Sequence, residues 1–179
     1  MEKKRVLAIS GSTRKKSSQL DIIKAFAGFG ARLFEVHIFE GVDTLPHFNP
    51  DLDNHEAPTA ITHFRNRLSG ADGILICTPE YAMGVPGSLK NALDWTVSSG
   101  EFSHKPVALI TASSLGQKGH AALLETLRVI EAKITNDTQL LIPFIKTRLH
   151  ADGQLTDQEV IHRLQVLVNR FNDLMTGVS

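Results

Sequence analysis

A single cysteine, Cys77, stands among 179 residues. That rules out an internal disulfide framework and a CxxC zinc or redox site. None of the eight histidines stands at HxH or HxxxH spacing, so no metal site is expected. Net charge is missing as well, since Lys plus Arg and Asp plus Glu number 19 each. A neutral chain does not hold nucleic acid or anionic lipid by bulk charge, and any anion it binds is caught by local groups. Long apolar runs are also lacking: Gly73 to Cys77 and Leu140 to Pro143 fall far short of the roughly 18 residues that span a bilayer. Val6 to Ile9, the apolar stretch after the charged N-terminus, is too short for the core of a secretory signal. These absences point to a cytoplasmic protein with neither membrane nor nucleic acid among its partners.

What is present suffices for a core. Hydrophobic residues make up 42% and charged ones 21%, fitting one globular domain over residues 1–179. Short runs rich in branched residues alternate with stretches of helical spacing. Strands are expected at Arg5 to Ser10, Leu33 to Phe39, Gly73 to Thr78, Val107 to Ala112 and Gln139 to Phe144. Helices are expected at Gln19 to Phe29, Pro58 to Leu68, Gly87 to Val97, Gly119 to Ala132 and Asp157 to Met175, the last with Thr156 as N-cap. Ile74 to Cys77 is apolar without alternation, as a strand buried on both faces requires. The pattern specifies an α/β fold with an open parallel sheet covered on both faces. Gly41 to Ala57, with Pro46, Asn49 and Pro50, reads as a long functional loop.

In such sheets ligands bind beyond the carboxyl ends of the strands, which singles out the loops after the first, third and fourth strands. The first is Ser10-Gly11-Ser12-Thr13-Arg14-Lys15-Lys16-Ser17-Ser18-Gln19. Hydroxyls, N–H groups at a helix start and an arginine together suit a phosphate monoester. A solvated basic helix turn would carry the same residue types. Neither GxGxxG nor GxxxxGK[ST] is present, so a terminal monophosphate fits better than a pyrophosphate. The second loop, Thr78-Pro79-Glu80-Tyr81-Ala82-Met83-Gly84-Val85-Pro86-Gly87, leaves backbone N–H groups around Tyr81 to Gly84 to meet a planar heterocycle. The third, Ser113 to His120, is rich in small residues, and Ser113 or Lys118 could donate to a ring edge.

The chain resembles the NADPH-dependent FMN reductase family of flavodoxin-like proteins, which includes quinone, azo and chromate reductases. The resemblance rests on Gly11-Ser12-x-Arg14-x-x-Ser17, Pro79-Glu80-Tyr81 and Pro86-Gly87-x-Leu89-Lys90-Asn91-Ala92-Leu93-Asp94-Trp95, with a weaker match at Leu45 to Leu52. It implies a flavodoxin-like sandwich whose five parallel strands lie in the order 2-1-3-4-5. It also implies FMN as cofactor, with phosphate contacts at Ser12, Arg14, Ser17 and Gln19 and Ser18 as a neighbour. Many relatives have Asn in place of Gln19. Ring contacts are implied at Pro79, Glu80, Tyr81 and Ala82, where Ala82 leaves recognition to the backbone, and further contacts at Ser113 and Gly116.

Several side chains admit two readings. Trp95 and its helical neighbours suit core or subunit contact better than a cofactor box. Glu80 is either a catalytic acid or an exposed loop carboxylate paired with a cation, for which Lys105 is a candidate, or with a neighbouring subunit. Tyr81 stacks on the ring or packs the loop. Cys77, inside a strand with no arginine six residues on, is not a nucleophile. The resemblance further implies transient NADPH or NADH, ping-pong transfer to a small-molecule electron acceptor, no catalytic side chain, and a homodimer or homotetramer. A flavodoxin-type electron carrier and a flavin-binding sensor remain the alternatives; the neutral charge speaks against the carrier.

Overall fold

The computed structural model describes residues 3–54 and 56–177. Five strands, β1 (Lys4–Ser10), β2 (Phe34–Phe39), β3 (Gly73–Thr78), β4 (Val107–Ala112) and β5 (Gln139–Ile142), form one sheet in the order β2-β1-β3-β4-β5. Every pairing is parallel, as the flavodoxin-like architecture requires. The connecting helices are α1 (Ser18–Gly30), α2 (Thr59–Ser69), α3 (Gly87–Asp94), α4 (Gln117–Val129), a single turn α5 (Ile145–Arg148) and α6 (Gln158–Thr176).

Strand residues divide by parity between two cores. Val6, Ala8, Leu75, Cys77 and Ile110 pack beneath α1 and α6 with Ile22, Phe26, Leu164 and Phe171. Leu7, Ile9, Ile74, Ile76 and Leu109 pack on the other face with Phe64 of α2, Leu89 of α3 and Leu127 of α4. Each such side chain contributes about 1.5–3 kcal/mol when fully buried, so neither face of the sheet can be left bare. Burial also pushes the Cys77 thiol pKa up, leaving no thiolate to react.

Element ends depart from the expected ones for local reasons. Asp157, not Thr156, caps α6: its carboxylate accepts from Val160 N at 3.0 Å and pairs with Arg148 at 2.5 Å, while the Thr156 hydroxyl donates to Arg148 O. β5 stops at Ile142 because Pro143 follows and Phe144 adopts a left-handed φ of 55°. α3 stops at Asp94 rather than Val97.

Two short 3-10 turns, Val42–Thr44 and Pro50–Leu52, interrupt the long loop after β2. α3 holds it in place. Asn91 accepts from Phe48 N at 2.7 Å and donates to Pro46 O at 3.0 Å, and Trp95 Nε1 donates to the same carbonyl at 2.8 Å. Arg65 bridges to Asp53 at 2.6 Å and donates to Trp95 O. Burial pushes the Asp53 pKa up, but hydrogen bonds from Arg65 and Ser98 outweigh it and hold the carboxyl below its ordinary value. Trp95 is fully buried and so is no anchor for a second subunit. Lys105 donates to Ala71 O at 2.7 Å and to Ser69 O, not to Glu80. Among the described residues no helix is long and apolar enough to cross a membrane.

β1 and β3 are neighbours, yet the chain leaves β1 for β2 on the opposite side, so the strand order reverses between their carboxyl ends. There Gly11 N donates to Cys77 O at 2.8 Å. A Cβ on Gly11 would fall 2.3 Å from Thr78 Oγ1, so only glycine permits this approach. Gly11→Ala is therefore expected to lower stability by about 1–3 kcal/mol, read from the urea midpoint. An unshifted midpoint would show that Thr78 yields without cost.

Candidate functional site

A cavity of about 350 Å³ opens at this switch point, within the usual range for small-molecule sites. Four loops wall it, one more than expected. The loop after β1 contributes Ser12, Arg14, Ser17, Ser18 and Gln19, and the loop after β3 contributes Pro79, Glu80 and Tyr81. Ala112 to Ser114 line it after β4, and Phe144 to Thr147 after β5.

The first loop is built for an anion. Ser17 caps α1 by accepting from Leu20 N at 3.3 Å. Ser12 N is held by Ser10 Oγ at 3.2 Å, and Ser12 Oγ accepts weakly from Arg14 N at 3.4 Å. Among the described residues the N–H groups of Thr13, Lys15, Lys16, Ser17, Ser18 and Gln19 make no hydrogen bond within the chain. Of these, Ser17, Ser18 and Gln19 line the cavity at the positive end of α1, together with three hydroxyls that keep a hydrogen to give and Arg14, which forms no ion pair among the described residues. A phosphate monoester, with three acceptor oxygens, matches that donor set. Gln19 is different. It is buried, and its Nε2 donates to Ala112 O at 2.7 Å across the cavity floor, so its amide braces α1 against β4.

The second loop folds back as a tight turn. Tyr81 N donates to Gly84 O and Gly84 N to Tyr81 O, with Ala82 at φ 48° and Met83 at φ 63° between them. Both φ values lie in the left-handed region, which costs a residue bearing Cβ about 1–2 kcal/mol each. Tyr81 and Gly84 thus spend the N–H groups expected to face a ligand, and only those of Ala82 and Met83 stay unbonded. Tyr81 is 52% exposed at the rim, and Ala82 does not line the cavity. Glu80 pairs with no cation among the described residues: its Oε2 accepts from Gly119 N at 2.7 Å in the first turn of α4, where the helix dipole favours negative charge. Gly119 is required there, because a Cβ would lie 2.6 Å from Gly84 O.

Ser113 joins the second and third loops, its Oγ accepting from Glu80 N at 3.2 Å and keeping its hydrogen to donate into the cavity. Gly116 lies behind the wall, with φ 101° as it enters α4, and Lys118 points to solvent outside the cavity. Phe144, Ile145, Lys146 and Thr147 were not singled out by the sequence. Phe144 N donates to Ser114 O at 3.0 Å and Ile145 N to Ser113 O at 3.1 Å, which carries this loop to the cavity. The rule pointing beyond the carboxyl ends of strands applies to the fifth strand too and would have found them.

Behind the third loop, His120 Nε2 lies 3.1 Å from Gln139 Oε1 and its Nδ1 2.8 Å from Thr111 Oγ1. Gln139 Nε2 already donates to Thr135 O, so Oε1 faces the ring, Nε2 carries the proton and Nδ1 accepts from Thr111. Burial pushes the His120 pKa below its ordinary value, against a smaller opposing effect of the Gln139 bond. A histidine with a depressed folded pKa leaves the unfolded chain to bind the proton first, so its neutral form stabilises the fold above about pH 6.5. That contribution falls away as pH drops below about 6.5, and His120→Asn should flatten the urea-midpoint profile between about pH 7.5 and 5.5. An unchanged profile in the variant would remove His120 as its cause.

The family model described as NADPH-dependent FMN reductase matches residues 4–147. An NAD(P)H-dependent FMN reductase of Pseudomonas aeruginosa is 31% identical over 179 residues, covering 93% of this chain and 96% of that one. A quinone reductase of Escherichia coli strain K12 is 28% identical, with 99% of this chain and 98% of the other covered. Among solved structures, the flavoenzyme NAD(P)H:(acceptor) oxidoreductase FerB of Paracoccus denitrificans superposes with a TM-score of 0.86 at 28% identity, over 97% of this chain and 98% of that one.

Proposed function

The chain belongs to the NADPH-dependent FMN reductase family, and from that premise we propose that it passes reducing equivalents from NADPH or NADH to a quinone or similar small acceptor by a ping-pong route. FMN is the cofactor, and it supplies the hydride and electron chemistry when bound. The observation that carries the reading is the continuity of one cavity from the anion-binding loop to the turn at Tyr81.

Ser12, Arg14, Ser17 and Ser18 would hold the terminal phosphate, joined by Lys146 from the opposite wall. Pro79 and Tyr81 would meet the ring, and Ser113 would donate to its edge. Gln19 and Glu80 line the cavity and, with Gly116, also set its walls in place. Fixed donors of this kind stabilise negative charge where it develops without reorganising, which is the protein's contribution to the rate. No side chain here is poised as acid, base or nucleophile: Glu80 is committed to Gly119 N and Cys77 is sealed in β3. The cavity is open at the Tyr81 and Phe144 rim, so donor and acceptor use one space in turn.

A homodimer or homotetramer fits the exposed apolar side chains Phe48, Leu52 and Val97, which gather where the loop after β2 meets α3. They replace Trp95 as candidate subunit contacts.

Initial rates with varied NADPH at several fixed quinone concentrations should give parallel double-reciprocal lines, whereas lines that intersect would exclude the ping-pong route. Arg14→Ala should weaken FMN binding by about 1.5–3 kcal/mol, through loss of a charge-assisted hydrogen bond. Unaltered FMN affinity would take Arg14 out of the site.

A further inference from the structure

The phosphate-binding loop has a second side. Arg14, Ser17, Ser18 and Lys146 line the cavity and also a separate groove of about 450 Å³ that runs outward along α1 to the loop at residues 151–153. Lys15, Lys16 and Lys24 face that groove as well. Among the described residues none of its five cations forms an ion pair. Two carboxylates oppose them. Asp152 is engaged by His150 at 3.2 Å and Gln154 N at 2.9 Å, and Asp21 lies under Gly153, where a Cβ would come within 2.7 Å of its carboxylate.

Five unpaired cations against two carboxylates is a strong local excess in a chain of zero net charge. Holding like charges together without partners costs free energy, and an anion lying in the groove would recover it. The direction of the groove says which anion. A flavin with its ring at Tyr81 and its phosphate at Ser12 to Ser18 ends where the groove begins, so a group esterified to that phosphate extends into it. Lys24 stands six residues beyond Ser18 on α1, about 9 Å at 1.5 Å per residue, within reach of a second phosphate and its ribose. No aromatic residue lines the groove, so its grip is electrostatic and not by base stacking.

We propose that this groove is a second phosphate site which takes the adenylate half of FAD, so that the chain accepts FAD as well as FMN. The proposal rests on the flavin reading of the cavity. The phosphates of NADPH share the chemistry of the second FAD phosphate, and the test separates them.

The full-length chain, freed of flavin, is titrated with FMN and with FAD by flavin fluorescence at low and at moderate salt, as wild type and as Lys24→Glu and Lys24→Gln. Lys24 is exposed and outside the FMN cavity, and circular dichroism verifies the fold of each variant. In wild type FAD should bind at least as tightly as FMN, and salt should weaken FAD more. Lys24→Glu should weaken FAD roughly tenfold and leave FMN within about twofold, with Lys24→Gln in between. Equal losses for both flavins, or FAD binding indifferent to Lys24, would overturn the proposal. So would a raised KM for NADPH with FAD affinity unchanged, since the groove would then serve the nicotinamide dinucleotide. Failure of wild type to bind FMN at all would overturn the flavin reading itself, a result distinct from FMN binding with no hold on FAD.

Discussion

The site depends on one buried hydrogen bond, from Gln19 Nε2 to Ala112 O, which ties the helix behind the phosphate-binding loop to the end of β4. Ties between residues nearer in sequence flank it. Gly11 N reaches Cys77 O, Ser113 Oγ reaches Glu80 N, and Glu80 reaches Gly119 N. Loops that would otherwise fluctuate separately are linked across the sheet edge, so the distance from anion loop to ring-binding turn is set by the rigid parallel sheet. Breaking the Gln19 bond leaves a buried carbonyl unpaired, a loss of about 1–3 kcal/mol that falls directly on the cavity floor.

The proposed chemistry asks for no catalytic dyad. A cofactor that carries the hydride chemistry asks the protein for position and fixed dipoles, and both are backbone properties here. The turn at Ala82 and Met83 holds two left-handed residues without glycine, and Phe144 holds a third on the opposite rim. Three of the five described non-glycine residues with left-handed φ thus lie at the rim of the cavity, where the stitching of the walls sustains their cost.

The fold class was legible because it rests on periodicity: apolar runs buried on both faces and helices with one apolar stripe leave few arrangements, while the strand order came with the family resemblance. The anion loop was legible because its chemistry lies within ten consecutive residues. The partners of Gln19, Glu80 and Trp95 were not, since they stand 93, 39 and 49 residues away. A side chain's type says what it can bond, and only the packed chain says what lies opposite. Gln19 read as a phosphate contact, and beside lining the cavity it is a brace across its floor, while Trp95 read as core or subunit contact and is the buried peg that secures the loop after β2. The wall from Phe144 to Thr147 escaped notice because Pro143 and a positive φ end β5 early, where apolar pattern alone extends the strand.

The central claim is that the cavity holds FMN where a nicotinamide donor can reduce it before any acceptor arrives. Its most direct test is an anaerobic absorbance titration of the FMN-loaded protein with NADPH and then NADH, followed by a quinone. The account predicts bleaching of the flavin band by donor alone and its full return on adding the quinone. A bound flavin that neither donor bleaches would contradict it and leave a carrier or sensor in its place.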